Sequence, residues 1–327
     1  MKKVLGMGNA LVDVLILLES DDLLHELGVA KGSMQHVDGK SVEKIFASAK
    51  EYKKHMVTGG SASNTISGLS KLGIPTGFIG KIGKDDIGDF FQTDLHKNGV
   101  NPLLSLSDNK SGQCIVLISP DGERTMCTYL GAACELDEND LTPTLFSEYD
   151  FFHIEGYLVQ NHALIKKAVR LAKEAGLTVS IDLASFNIVE NNLDFLHEIV
   201  SQYVDIVFAN EEEAQAFTGR TAEEALIHIS EHCEIAIVKV GKDGSHIKSA
   251  SGTHKIAPIL CNCIDSTGAG DSYAAGFLFG LTKNYSHETC GNIGSLIAGH
   301  VVEVIGAKLQ EEKWEKIYTG LKTTVDC

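Results

Sequence analysis

Apolar and polar positions change period repeatedly along this chain, and the changes divide it into recognisable elements. Val4 to Val14 reads as a buried strand ending in a glycine-rich turn, and a second apolar run extends to Leu18. Ser20 to Leu27 reads as a short helix, Ser33 to Val37 alternates like a half-exposed strand, and Val42 to Tyr52 has the three-and-four spacing of an amphipathic helix. Gly59-Gly60 opens a helix running to Leu72. The strand Gly77 to Ile79, the glycine-rich loop Gly80 to Gly88 and a helix from Asp89 to Asn98 follow. Between Val100 and Leu130 the runs are short and alternating, with Pro120-Asp121-Gly122 joining two of them, which is the grammar of hairpins.

Beyond Ala133 the pattern is strand, helix, strand, helix. Strands are expected at Phe151 to Ile154, Thr178 to Asp182, Ile206 to Phe208 and Ile235 to Val240. Helices are expected at Asn161 to Ala175, Leu193 to Gln202 and Glu212 to Thr218. Crossover helices between strands imply an α/β fold with a doubly wound, mostly parallel sheet, and such sheets bind ligands at the carboxyl ends of their strands. Asp182, Asn210 and Gly241 fall at such ends. The pattern assigns 1–10, 38–98 and 131–327 to a large α/β domain, and 11–37 and 99–130 to a small β-sheet lid able to exclude water from a substrate.

The most informative stretch is Ile264 to Gly280. Gly268-Ala269-Gly270 stands directly before an apolar helix, so the unpaired N–H groups of a helix start, with the helix dipole behind them, make an anion site. Asp271 sits in the first turn, where an ionised carboxylate can take a proton from a hydroxyl. By itself a G-x-G-D string reads first as an ordinary glycine turn with an acid at a helix start, and the rest of the motif reverses that. No Lys-Ser or Lys-Thr follows the glycines, so this is not a Walker A loop.

The whole string Asp265-Ser-Thr-Gly-Ala-Gly-Asp271, followed by Ala274, Ala275 and Gly276, resembles a signature of the ribokinase-like PfkB sugar and nucleoside kinases. Residues 59 to 64 and the spaced glycines after them resemble that family's other signature. The phrases Gly8-Asn9-Ala-Leu-Val-Asp13, Gly59-Gly60-Ser61-Ala-Ser-Asn64 and Thr128 to Ala133 are closest to its adenosine-kinase-like branch. The resemblance implies ATP as donor, Mg²⁺ as companion ion and potassium as a further ion. It makes Asp271 the base and assigns the anion hole to the Gly268, Ala269 and Gly270 amides, with Arg124 near the transferring phosphate. Asp13, Gly59, Gly60 and Asn64 would hold acceptor hydroxyls, and Tyr157 would stack on a base. Asn210 and Glu213 would act on Mg²⁺ through water. Thr267, Lys239, Gly241 and Gly244 would face the nucleotide, with Asn292 and Ser295 opposite.

Each of these residues also has a plain reading. Asp13 can be an edge position, Asn64 a helix-start amide, Asn210 with Glu213 a capped helix, Arg124 a solvated hairpin charge and Tyr157 core. Adenosine kinases carry two successive aromatics after the glycine equivalent to Gly156, whereas this chain has Tyr157 and then Leu158.

Composition narrows the remaining classes. Against 28 Lys+Arg stand 44 Asp+Glu, a formal charge of −16, which argues against nucleic acid or anionic membrane as partner. Eight cysteines without paired spacing suggest free thiols in a reducing, cytoplasmic setting. Gly6-x-Gly8 lacks the third glycine of a dinucleotide fingerprint. The expected function is an ATP-dependent kinase acting on the ribose 5′-hydroxyl of an adenosine-like nucleoside, as a monomer or homodimer. A fructokinase- or ribokinase-type sugar kinase is the alternative, and a regulator that binds without catalysis is the second.

Overall fold

Residues 1–325 are described in a computed structural model. Among these residues fourteen strands form two sheets. In chain order they are β1 (Val4–Met7), β2 (Leu11–Leu17), β3 (Met34–His36), β4 (Lys54–Gly59), β5 (Thr76–Gly83), β6 (Val100–Ser107), β7 (Gly112–Ile118), β8 (Arg124–Tyr129), β9 (Phe151–Glu155), β10 (Thr178–Asp182), β11 (Ile206–Asn210), β12 (Ile235–Lys239), β13 (Ser245–Ser249) and β14 (Gly252–Ile256). The large sheet has the order β14-β13-β12-β11-β10-β9-β1-β5-β6, and the small one β3-β8-β7-β2-β4. From β12 through to β6 the large sheet is parallel; β13 and β14 add an antiparallel edge.

Strand alternation explains why helices cover both faces. On β11, Ile206 and Phe208 pack with Phe277 and Ala274, whereas Val207 and Ala209 pack with Val238 and Ala214. The first face carries the helices Ser61–Lys71, Asp86–Lys97, Ala269–Thr282 and His287–Val301. The second carries His162–Glu174, Leu193–Tyr203, Glu211–Thr218 and Ala222–Ser230. Small residues let two of these helices touch: a Cβ on Gly276 would lie 2.8 Å from the backbone of Gly294.

The division into lid and large domain differs from the expected boundaries in two places. Residues 99–107 were expected in the lid, but β6 runs parallel to β5 over eight residue pairs and ends the large sheet. Its Asn101 and Ser105 are the polar positions of a half-exposed edge strand, which in sequence looks like a hairpin arm. Residues 54–59 were expected in the large domain, yet β4 pairs antiparallel with β2 and closes one edge of the lid. The chain therefore crosses between sheets at Gly8–Ala10 and again at Gly60. Helix starts also moved: Val42 to Tyr52 is observed as Gly39–Ser48, because Asp38 caps its first turn through the Ser41 N–H at 2.8 Å. Among the described residues no helix is long and apolar enough to cross a membrane, and the seven described cysteines are free; Cys327 lies outside them.

Candidate active site

A cleft of about 1480 Å³ runs between the carboxyl ends of the large-sheet strands and the inner face of the lid. Single small-molecule sites usually span roughly 300 to 1,000 Å³, so this volume suits two ligands end to end. Asp271 lines it at the junction of its two halves. One half has Asn9, Asp13, Asn64, Glu155 and Tyr157 beneath the lid residues Val116, Met126 and Thr128; the other has Asn210, Glu213, Lys239, Gly241, Gly244 and Ser295.

Asp271 belongs to the first turn of Ala269–Thr282, whose N-cap Gly268 has φ 76. A side chain at Gly268 would also collide with Ala307. The Asp271 carboxylate accepts from Ser61 Oγ at 2.7 Å and Asn64 Nδ2 at 2.9 Å, so the two helix starts meet at this group. Burial raises its pKa to about 6, against the lowering effect of those bonds. Of the three amides expected to form the anion hole, that of Ala269 is occupied: its N–H donates to the Ser266 carbonyl at 3.1 Å, closing the turn. The N–H groups of Gly268, Gly270 and Asp271 have no partner among the described residues and remain for an anion. Lys239 Nζ lies beside Gly270 and is paired with Asp182 at 2.8 Å.

Beneath the lid Asp13 projects from β2 against Gly59, where any Cβ would strike its carboxylate. Asp13 accepts no hydrogen bond from the described residues, and burial raises its pKa to about 6 although Arg124 and Lys308 act to lower it. Gly60, at φ 88, leaves no room for a side chain over the Asn9 carbonyl. Asn9 and the start of the Ser61 helix are joined by Glu155. Its Oε1 accepts from Asn9 Nδ2 at 2.6 Å and its Oε2 from the Ala62 N–H at 3.1 Å. Burial pushes Glu155 up to about 7. Tyr157 lies in the 3₁₀ turn Gly156–Gln160, lining the cleft with its hydroxyl donating to the Ala184 carbonyl at 3.4 Å.

Arg124 and Asn292 stand differently from expectation. The Arg124 guanidinium is tied to Asp265 and to Thr267 Oγ1 at 3.1 Å, so it fastens the lid to the loop before the anion site instead of standing free for phosphate. Asp265 also accepts from the Gly306 N–H at 2.7 Å. Asn292 is exposed and lies off the cleft; the surface of its helix that faces the cleft is Ser295, Ala298, Gly299 and Val302. The i, i+3, i+4, i+7 spacing of these four places them on one stripe. Gly59 and Gly268 act behind the surface, as the packing above requires, and do not line it.

Asn210 and Glu213 form a reciprocal cap. Asn210 Oδ1 accepts from the Glu213 N–H at 2.8 Å, while Glu213 accepts from the Asn210 N–H at 2.8 Å and from its Nδ2 at 2.7 Å. Each Glu213 oxygen retains one acceptor site, which could take a water of a hydrated Mg²⁺. Burial, then the nearby Asp182, raises the Glu213 pKa. Among the described residues the one His/Cys/Asp/Glu group with clustered ligand atoms is His228, Glu231 and His232, before the amino end of β12 and away from the cleft.

Sequence reasoning missed Asn9, Ser61, Glu155 and the segment Pro258–Cys263 along the cleft, and Lys308 near Asp13. Glu155 had a readable signal, a lone acid ending an apolar strand as Asp182 does. Lys308 had none.

Similar proteins place this geometry in context. A probable sugar kinase from Rhizobium etli superposes with a TM-score of 0.86 at 30% identity, covering 98% of both chains. Adenosine kinase from Sinorhizobium meliloti superposes with a TM-score of 0.85 at 30% identity, covering 98% of this chain and 99% of that one. The 5-dehydro-2-deoxygluconokinase of Bacillus subtilis is 30% identical over 264 residues, 75% of this chain and 80% of its own length. The pfkB family carbohydrate kinase profile matches residues 33–314, from β3 to the last helix. A match of that extent, taking in both helix starts that converge on Asp271, means that the chain belongs to the pfkB family of carbohydrate kinases and is a phosphotransferase.

Proposed function

We propose that this kinase transfers the γ-phosphoryl group of ATP to the primary hydroxyl of a nucleoside, with an adenosine-like acceptor and the ribose 5′ position as the site of attack. The observation that carries the acceptor class is the apolar part of the lining in the cleft that also holds Asp13 and Tyr157. Leu136, Leu158, Leu164, Ile188 and Met126 line it, a surface that suits a planar base and has no use in a kinase of a bare sugar. The likeness to the Sinorhizobium adenosine kinase supports the same reading.

In this reading Asp13 and Asn64 hold ribose hydroxyls, and Asp271 takes the proton of the attacking hydroxyl. The Gly268, Gly270 and Asp271 N–H groups, with Lys239 beside them, hold the phosphoryl oxygens in line. Mg²⁺ would supply charge neutralisation between the phosphates, with Glu213 and Asn210 meeting it through water. The lid, held to the loop by Arg124, excludes water that would compete as acceptor.

A sugar-acid acceptor is the second reading, favoured by the 5-dehydro-2-deoxygluconokinase relatives. The deciding measurement is kcat/KM for adenosine, inosine, ribose, fructose and 5-dehydro-2-deoxygluconate under one set of conditions. Adenosine or inosine should lead. A free sugar or the sugar acid exceeding both nucleosides refutes the nucleoside assignment.

A further inference from the structure

Lys308 is a buried ammonium with no hydrogen-bond partner among the described residues. Unpaired buried charge is costly, and an apolar side chain at such a place normally gives a more stable fold. The strap that carries it lies against the anion-site loop: Gly306 bonds Asp265, and Ala307 fills the space over Gly268. The charged groups facing Lys308 are Asp94 on the helix Asp86–Lys97, Asp13 on β2 and Asp271 on its own helix start.

The other cations near the site already have carboxylate partners. Arg124 is bound to Asp265, and Lys239 to Asp182. Asp271 is additionally faced by the negative Asp182 and by the positive Lys239 and has the Ser61 and Asn64 bonds; Asp13 is faced by Arg124 and by Asp271 itself. Asp94 takes the Thr58 hydroxyl at 2.6 Å. Two carboxylates sharing one enclosed pocket disfavour each other's ionised form, and a protonated Asp271 cannot accept the hydroxyl proton.

We propose that Lys308 is a positioning residue whose fixed ammonium, set behind the cleft wall, keeps Asp13 and Asp271 ionised together so that one can bind the acceptor while the other acts as base. Burial pulls the lysine pKa below its usual value, whereas Asp94, Asp13 and Asp271 act to raise it and so favour the charged form. This inference rests on the reading of Asp271 as base.

The test compares Lys308→Met, Lys308→Arg and Asp271→Asn with the parent protein. It measures kcat/KM for the fastest of the acceptors above across roughly pH 5 to 9, the ATP KM, and the thermal midpoint. Lys308→Met should have a thermal midpoint equal to or above the parent's and an unchanged ATP KM. Its acceptor kcat/KM should fall about two- to fourfold at neutrality and about tenfold or more on the acid side, with the acid limb moved up by roughly one pH unit and the loss recovered at the alkaline end. Lys308→Arg should keep the parental limb. A Met variant with the parental pH profile overturns the proposal, as does one with a lowered midpoint and a uniform loss at every pH, which marks a structural role. Asp271→Asn separates the two failures. If that variant keeps near-normal turnover, the base assignment falls and this proposal with it; if it is inactive while Lys308→Met keeps the parental profile, only the proposal falls.

Discussion

Asp271 has both oxygens held, by Ser61 and Asn64, and is thereby aimed before any substrate arrives. If it removes the hydroxyl proton, Asp271→Asn should lower kcat by about 10² or more with little effect on ATP affinity, since positioned base catalysis contributes roughly 10² to 10⁴. Single-turnover and steady-state rates with saturating acceptor check this; near-parental turnover would remove the assignment. Asp13 makes a separate prediction because it has no internal hydrogen bond to lose. Its folded pKa, about 6, lies above the 3.8 of an ordinary aspartate, so the native state holds the proton more tightly than the unfolded chain. Parent stability must therefore fall as pH rises from the lower value through the higher one, and stay flat above. Asp13→Asn should be more stable than the parent at alkaline pH by about 1 to 3 kcal/mol, with the gain shrinking through pH 6 and vanishing near pH 4. Denaturant titrations of both proteins at several pH values measure it, and a pH-independent difference would contradict the burial account. The same variant should raise the acceptor KM and leave the ATP KM alone.

Helix starts are the elements that matter most in this site. Ser61–Lys71, Glu211–Thr218 and Ala269–Thr282 all begin at the cleft, each after a turn that follows a strand or loop. The Glu211–Thr218 start separates two roles that the sequence could not distinguish, cap and metal partner. Glu213→Gln removes charge but keeps an oxygen for the Asn210 N–H, so the helix should lose only about 1 kcal/mol or less. If Glu213 also orients hydrated Mg²⁺, the rate should need several-fold more Mg²⁺ to reach half its maximum. A magnesium titration of the variant that overlays the parent's would leave Glu213 as a cap alone. Arg124 links elements from different sheets. Arg124→Gln should raise amide exchange in β3 and β8 and lower acceptor kcat/KM; exchange unchanged from the parent would mean that other contacts hold the lid.

For the molecule as a whole, the charge of −16 opposes the arrival of an anionic nucleotide, and added salt screens that repulsion. The kcat/KM for MgATP should therefore rise, about two- to fivefold, between low and physiological ionic strength. A neutral nucleoside should show no such rise, whereas an acidic sugar should show one, so salt dependence gives a second, independent measure of acceptor class. Falling kcat/KM for MgATP with added salt would mean that Lys239 and the N–H groups at the Asp271 helix start dominate the field at the cleft mouth.

Short-range features were legible from the chain alone. Thr178 to Asp182 reads as a strand because its apolar positions lie between two turns, and it is one; the glycines before Asp271 read as a turn opening a helix, and Gly268 takes the left-handed backbone angle of such a turn. Such features depend on neighbours within a few residues. Partnership across the fold does not. Residues 54–59 join the lid and 100–107 leave it because of the strands they pair with, and nothing within either segment names its partner. Ser61 meets a carboxylate 210 positions away, Arg124 meets one 141 away, and Glu155 reaches back 146 residues to Asn9. The residue types and backbone turns of the site were written locally in the sequence, whereas tertiary packing decided which side chains converge. Hydrogen-bond and charge partners are chosen by distance in space, and the winding of nine strands brings together residues whose separation along the chain carries no trace of it.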